Sequence, residues 1–264
     1  AGGEGYDSVT VSGGGDYSNG GNEGNYLRLT GVEQVDVSET YNVHGNYNTI
    51  VADGDLQQVY LSNNEAASYL TVNTGGANES TTGDVTLTVN GGYGYDSVVV
   101  NANSGANVSL NAAYGEGGSE TSVNAYNGGD VTLTVDAGYG YDRVYSESSG
   151  NLTATVSVGE GGSYVRAYSE GNIDLTVNAG EGYDDVRAYT YTGGSIDATL
   201  NLGNGEGYVQ LGANEGGNVT ADVTFGSGGH SVDLYTDTES VINATVAGGE
   251  GYDSVTVSGG GDYS

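Results

Sequence analysis

VTLTV at residues 85–89, VSLNA at 108–112, VTLTV at 131–135, LTATV at 152–156, IDLTV at 173–177, IDATL at 196–200, VTADV at 219–223 and INATV at 242–246 are eight versions of one alternation. Their first residues step by 23, 23, 21, 21, 23, 23 and 23. Each is followed by a glycine-rich turn and then a second short alternation, such as SVVV at 97, SYVRAY at 163, DVRAY at 185, YVQL at 208, SVDL at 231 and SVTV at 254. Period-two alternation of β-branched residues bounded by Gly, Asn and Ser is the strand signature, and no helical period competes with it. A unit of this length buries no apolar face alone, whereas stacked copies share a thin core. The spacing therefore predicts an all-β chain folded as a flat parallel β-solenoid, its rungs about 21–24 residues long, with two strands and two glycine-rich turns each.

The columns expected to point inward are Val85, Val108, Val131, Leu152, Ile173, Ile196, Val219 and Ile242, then Leu87, Leu110, Leu133, Ala154, Leu175, Ala198, Ala221 and Ala244. At roughly 4.8 Å per rung, about eleven or twelve rungs make a rod on the order of 55 Å long. Residues 1–84 read as irregular N-terminal rungs and 85–264 as regular rungs of one continuous domain. In the first part the apolar pairs are Leu27/Leu29, Val35/Val37, Val59/Leu61 and Leu70/Val72, and GVEQVDVS at 31 and GDLQQVYLS at 54 look like one pattern.

Composition taken alone points the other way. Val, Leu, Ile and Phe make up about 19 % of the chain, just under the level that accompanies disorder. The repeats overrule it. Four Lys+Arg against 35 Asp+Glu give a formal charge of −31, which excludes a sequence-independent grip on nucleic acid or on an anionic membrane, since both need clustered cations. No apolar run approaches a membrane span, and neither an initiator Met nor a leader is seen, so a mature product or an excerpt is expected. Without cysteine there is no disulfide framework or thiolate metal site. Only His44 and His230 are bases near neutral pH, each isolated in a turn, and no Ser-His-Asp spacing or distinctive carboxylate pair appears. The chain reads as non-enzymatic.

The turn after the first strand reads GGEGYDSV at 2, GGYGYDSV at 91, AGYGYDRV at 137, AGEGYDDV at 179 and GGEGYDSV at 248. These turns resemble the repeats-in-toxin nonapeptide G-G-x-G-x-D-x-U-x, whose family forms parallel β-rolls with calcium between turns. The resemblance implies Ca2+ as cofactor and puts Asp7, Asp96, Asp142, Asp184 and Asp253 at the metal-binding position. In that family the motif recurs every nine residues; here it comes once per rung. Independently, the aspartates are 89, 46, 42 and 69 residues apart, close to whole numbers of rungs, which stacks them on one edge with Glu116, Glu160 and Glu206 nearby. Stacked carboxylates repel, and a divalent cation relieves that. The same residues also fit a plain solvated turn in which Gly supplies positive φ and Asp caps its own backbone.

Tyr6, Tyr95, Tyr141, Tyr183 and Tyr252 fall in register in these turns, with Tyr208 close by, and Tyr126, Tyr168, Tyr189 and Tyr235 form a partial second ladder. Packing between rungs or rods is the expected use, with carbohydrate stacking as the alternative. The outward positions of the first strand form Thr-rich columns similar to the T-x-T arrays of ice-binding solenoids, interrupted by Asp174, Asp197 and Asp222. GVEQVDVS also resembles segments of bacterial surface-layer proteins and giant secreted adhesins.

Residues 1–18, AGGEGYDSVTVSGGGDYS, recur letter for letter as 247–264. Either one period of a longer tandem array overlaps its neighbour, or the end rungs of a subunit are built alike. No polar or helical cap is visible, and an open rung offers unpaired backbone groups. The reading that follows is an extracellular, cell-surface structural protein, a self-assembling unit of a filament, appendage or surface layer that pairs with itself head to tail through 1–18 and 247–264, without nucleic acid or membrane insertion. The stalk of a large calcium-dependent adhesin is the alternative, and an ice-binding solenoid a more distant one.

Overall fold

A computed structural model describes residues 5–12, 25–38, 47–61, 67–74, 83–238 and 240–260. His44 lies outside them. The strands of the first half are β1 (Ser8–Ser12), β2 (Asn25–Arg28), β3 (Gln34–Ser38), β4 (Tyr47–Ala52), β5 (Gln58–Tyr60), β6 (Ala67–Thr74), β7 (Val85–Asn90), β8 (Asp96–Ala102), β9 (Val108–Ala113), β10 (Ser119–Ala125) and β11 (Val131–Asp136). They continue as β12 (Asp142–Ser148), β13 (Leu152–Ser157), β14 (Ser163–Ser169), β15 (Ile173–Asn178), β16 (Asp184–Thr190), β17 (Ile196–Leu202), β18 (Gly207–Ala213), β19 (Val219–Phe225), β20 (His230–Thr238), β21 (Ile242–Ala247) and β22 (Asp253–Gly260). Odd-numbered strands make one parallel eleven-stranded sheet, sheet A, and even-numbered strands a second, sheet B. No helix occurs among the described residues. The chain is an all-β parallel solenoid.

The apolar alternation sets the register. Val85 pairs with Val108, then Val131, Leu152, Ile173, Ile196, Val219 and Ile242 in turn. All but the last are buried. In the irregular part Val35 lies beside Val59, Leu27 beside Ile50 and Ile50 beside Leu70, so these strands enter the same two sheets. Burying such columns at about 25 cal/mol per Å² of apolar area offsets the chain entropy that composition alone suggests is unaffordable.

The turns explain the glycine content. Gly92, Gly115, Gly138, Gly159, Gly180, Gly203, Gly226 and Gly249 stack, and a Cβ on Gly138 would stand 1.4 Å from the carbonyl oxygen of Gly115. Within this ladder close approach, rather than the positive φ expected from the sequence, is what demands glycine.

The opposite turns are tied by a side-chain ladder. The Asn107 N–H donates to Asp84 Oδ1 (2.8 Å), Asp130 N–H to Asn107 Oδ1 (2.9 Å) and Asn151 N–H to Asp130 Oδ1 (2.6 Å). Asn172 N–H donates to Asn151 Oδ1 (3.1 Å), Ser195 N–H to Asn172 Oδ1 (2.9 Å), Asn218 N–H to Ser195 Oγ (3.1 Å) and Val241 N–H to Asn218 Oδ1 (2.8 Å). At Val241 the ladder stops, since an apolar side chain offers no acceptor.

Candidate functional site

Four copies of the G-x-G-Y-D turn join a sheet A strand to a sheet B strand, and the aspartate opens the latter. Asp96, Asp142, Asp184 and Asp253 thereby share one column, in the order Ser68, Asp96, Ser119, Asp142, Ser163, Asp184, Gly207, His230, Asp253. The column points inward. Asp96, Asp142 and Asp184 are at most 1 % exposed, which overturns the expectation of a solvated edge: once the first residue of the strand is set on the core side by the apolar residue two places on, its side chain has no path to water.

Each carboxyl is met by hydroxyls and N–H groups. Asp142 Oδ1 accepts both the N–H and the hydroxyl of Ser119 at 2.8 Å. Asp184 Oδ1 accepts the Ser163 hydroxyl at 2.8 Å, and Asp96 Oδ2 accepts the Gly92 N–H at 2.7 Å. Asp96 Oδ1 and Asp142 Oδ2 are buried without a hydrogen-bond partner. Burial, opposed only partly by these bonds, pushes Asp96 up to about 7 and Asp142 and Asp184 up to about 6 from the ordinary 3.8. Tyr114 lies close to Asp96 and Asp142, and its hydroxyl bonds Thr121 Oγ1 at 2.7 Å; burial pushes that phenol up too.

The column changes character at its end. Gly207 is bare, and a Cβ there would meet the His230 ring at 2.9 Å. His230 stacks on Phe225 with centroids 4.2 Å apart, and its Nδ1 lies 3.2 Å from Asp253 Oδ1, which also accepts the His230 N–H.

Asp7 stands apart, because β1 belongs to sheet A. Its N–H donates to Glu33 Oε2 at 2.6 Å. Glu116, Glu160 and Glu206 are exposed on the turns. Among the described residues no three acidic or histidine side chains gather around one point. Calcium takes six to eight oxygens, and the inward column supplies at most a lone carboxylate every second rung.

A second constellation covers the outside of sheet B, where all four of the chain's cations stand: Arg28 on β2, Arg143 on β12, Arg166 on β14 and Arg187 on β16. Asp185 holds two of them. Its Oδ1 and Oδ2 accept from Arg166 Nη1 (3.1 Å) and Nη2 (2.8 Å), and from Arg187 Nε (3.0 Å) and Nη2 (3.1 Å). The Arg166 side chain is only 3 % exposed, with its Cζ 3.4 Å from the Tyr164 ring centre. Beside it Tyr168 and Tyr189 stack at 5.6 Å, and Tyr235 is 6.0 Å from Tyr189. Tyr145 and Tyr191, which the spacing did not single out, join the group at 5.5 and 6.3 Å from Tyr168. The turn tyrosines Tyr6, Tyr141, Tyr183 and Tyr252 are exposed. The serines of the column and the Asp185 clamp were missed in the sequence; the period-two step back from the buried residues Leu70, Thr121 and Val165 is the signal that would have found Ser68, Ser119 and Ser163.

Comparison with protein-family models, with curated proteins and with solved structures finds no match to this chain.

Proposed function

We propose that the chain is an extracellular structural protein, a solenoid unit that joins copies of itself head to tail into a filament, appendage or surface layer. One observation carries this reading: residues 1–18 recur letter for letter at 247–264, so a segment with which one copy would continue the stack of another is already part of the repeat. The edge strand of a parallel stack is a template for another strand. A heterologous contact of that kind propagates unless a rotation closes it. The charge of −31 opposes association at low ionic strength, so salt promotes it.

Calcium enters the proposal as a stabiliser of the turns, supported by their resemblance to the repeats-in-toxin motif. Electron microscopy and sedimentation at rising salt test the assembly: fibres or sheets are expected, and isolated rods at every salt concentration would rule it out. Thermal melts with calcium or chelator test the metal. A melting temperature higher in calcium is expected, and superimposable curves remove calcium from the reading.

A further inference from the structure

The outside of sheet B carries a tyrosine cluster that the proposed assembly does not use. Tyr168 on β14 has three tyrosine rings around it: Tyr145 on β12 at 5.5 Å, Tyr189 on β16 at 5.6 Å and Tyr191 just past β16 at 6.3 Å, the last two within 9° of parallel to it. Tyr235 extends the row from Tyr189 at 6.0 Å. Tyr168 and Tyr189 are also register partners on adjacent strands, so their backbones stand about 4.8 Å apart. Solvent reaches every ring of the row: Tyr191 is 47 % exposed and the others are half-buried. Elsewhere among the described residues, ring contacts between tyrosines reduce to the single pair Tyr69 and Tyr95 at 6.4 Å.

Composition directs oxidation to these rings. The chain has 23 Tyr but no Cys, Met or Trp, so the side chains that otherwise take up oxidising equivalents are missing. With neither Cys nor Lys it has no disulfide and no lysine-derived cross-link to tie its rungs. A phenol that loses an electron also sheds its proton, and the row provides a seat for it: the Tyr145 hydroxyl donates to Glu147 Oε2 at 2.9 Å. Burial, and then that carboxylate, hold the Tyr145 phenol above its ordinary range, so it enters such a reaction protonated.

We infer that this row is a modification site, at which one-electron oxidation joins Tyr168 to Tyr189 as dityrosine. The oxidant is a peroxide acting through a haem peroxidase. Each phenol gives up one electron and one proton, and the two phenoxyl radicals couple between ring carbons ortho to the oxygens. The hydrogen on each of those carbons then moves to its own oxygen, which restores two phenols. One hydrogen peroxide takes up the two electrons and two protons and leaves as two waters. Tyr145 and Tyr191 are points of entry, because a radical formed on either is filled by an electron from the Tyr168 ring beside it. The new bond ties adjacent rungs at positions 189 − 168 = 21 residues apart, and restricts the unfolded chain as a disulfide closing the same loop does. The link lies within one chain and is independent of whether copies associate.

Trypsin reads the site, because cleavage after Arg143, Arg166 and Arg187 puts Tyr145, Tyr168 and Tyr189 on three different fragments. Dilute protein treated with peroxidase and hydrogen peroxide should gain dityrosine fluorescence while still running as a single chain on a denaturing gel. Mass spectrometry should find the fragment 167–187 joined to 188–264 with the loss of two hydrogens, and the treated chain should melt at a higher temperature than the untreated one. Tyr168→Phe should remove most of the fluorescence and the joined pair, whereas Tyr183→Phe, which changes the other tyrosine of 167–187, should leave both. Tyr189→Phe is the second removal if Tyr168→Phe folds poorly by circular dichroism, and the mass assignment in the unaltered chain needs no variant. Fluorescence that survives both removals, links found only between copies, or links gathered in fragment 29–143 with its exposed Tyr93, Tyr139 and Tyr141 would overturn the assignment.

Discussion

Sheets A and B contribute equal numbers of strands to one core but stabilise it differently. Between β7 and β19, the inward residues of sheet A are apolar without exception, as at Val85, Leu87 and Val89 or Leu152, Ala154 and Val156, and its outward face is Thr, Ser, Asn and Asp apart from Ala113. Sheet B flanks its apolar residues with polar ones at both strand ends. One set is the Asp/Ser column at the strand starts. The other, at the strand ends, is mixed: Ala102, Ala125 and Ala213 share the column with Ser148, Ser169 and Thr190, whose hydroxyls donate to the carbonyls of Gly129, Gly150 and Gly194. The first sheet supplies burial; the second pins both sets of turns. A thin solenoid needs both, because its turns have no overlying layer to hold them.

The largest way to break this contrast is pH, which acts on the acidic column of sheet B. Between about pH 4 and 7 the folded chain keeps protons on Asp96, Asp142 and Asp184 that the unfolded chain releases. Stability contributed by these groups is therefore complete below pH 4 and falls as pH rises through 6 and 7, by up to about 1.4 kcal/mol per pH unit for each carboxyl. Urea midpoints at pH 5 and pH 8 should show the protein more stable at pH 5, and Asp142→Asn should flatten the slope. A midpoint that rises with pH would contradict the buried column.

Next comes a cavity in sheet A. Leu133 is 1 % exposed between Leu110 and Ala154, and Leu133→Ala should cost about 3 kcal/mol by the transfer and cavity terms together. Its cost should be the same at pH 5 and pH 8, which separates it from the acidic column; a loss well under 1 kcal/mol in denaturant titrations would mean that the core has slack.

The smallest effect is at a turn. Ser169→Ala removes the hydroxyl that donates to Gly150 O at 2.6 Å and accepts the Gly171 N–H at 3.0 Å, and should cost about 1 kcal/mol in the same titration. Faster amide exchange should be confined to the neighbouring turns. Exchange that spreads into β13 and β15 would show that the two sheets are not separable in this way.

Much of this was legible beforehand. The 21 to 23 residue step predicts the rungs, and the inward columns of sheet A follow as far as Val219 and Ala221, since a period of two leaves no choice of face once one column is apolar; in β21 Ile242 is only partly buried and Ala244 is exposed. The pattern shared by residues 31–38 and 54–62 places Val35 beside Val59. The tyrosine ladders were half legible: Tyr168, Tyr189 and Tyr235 approach one another as the spacing suggests, but Tyr145 and Tyr191 reach the group from other positions because long side chains lean across strands.

By itself the sequence determined period, strand direction and which alternating residues face inward, because these depend on local alternation and on repetition. Only the tertiary structure decided the fate of the charges. Whether an aspartate after a glycine turn faces water or the core depends on which side of the next strand begins the inward count, and Asp96, Asp142 and Asp184 fall on the core side while Glu116 and Glu160 do not. The Asp185 clamp on Arg166 and Arg187 joins adjacent rungs 19 residues apart in sequence at its longer arm, and the two identical segments enter opposite sheets. The physical reason is the same in each case: identical local sequence meets different neighbours in the stack, and the neighbours set the burial, the partner and the proton.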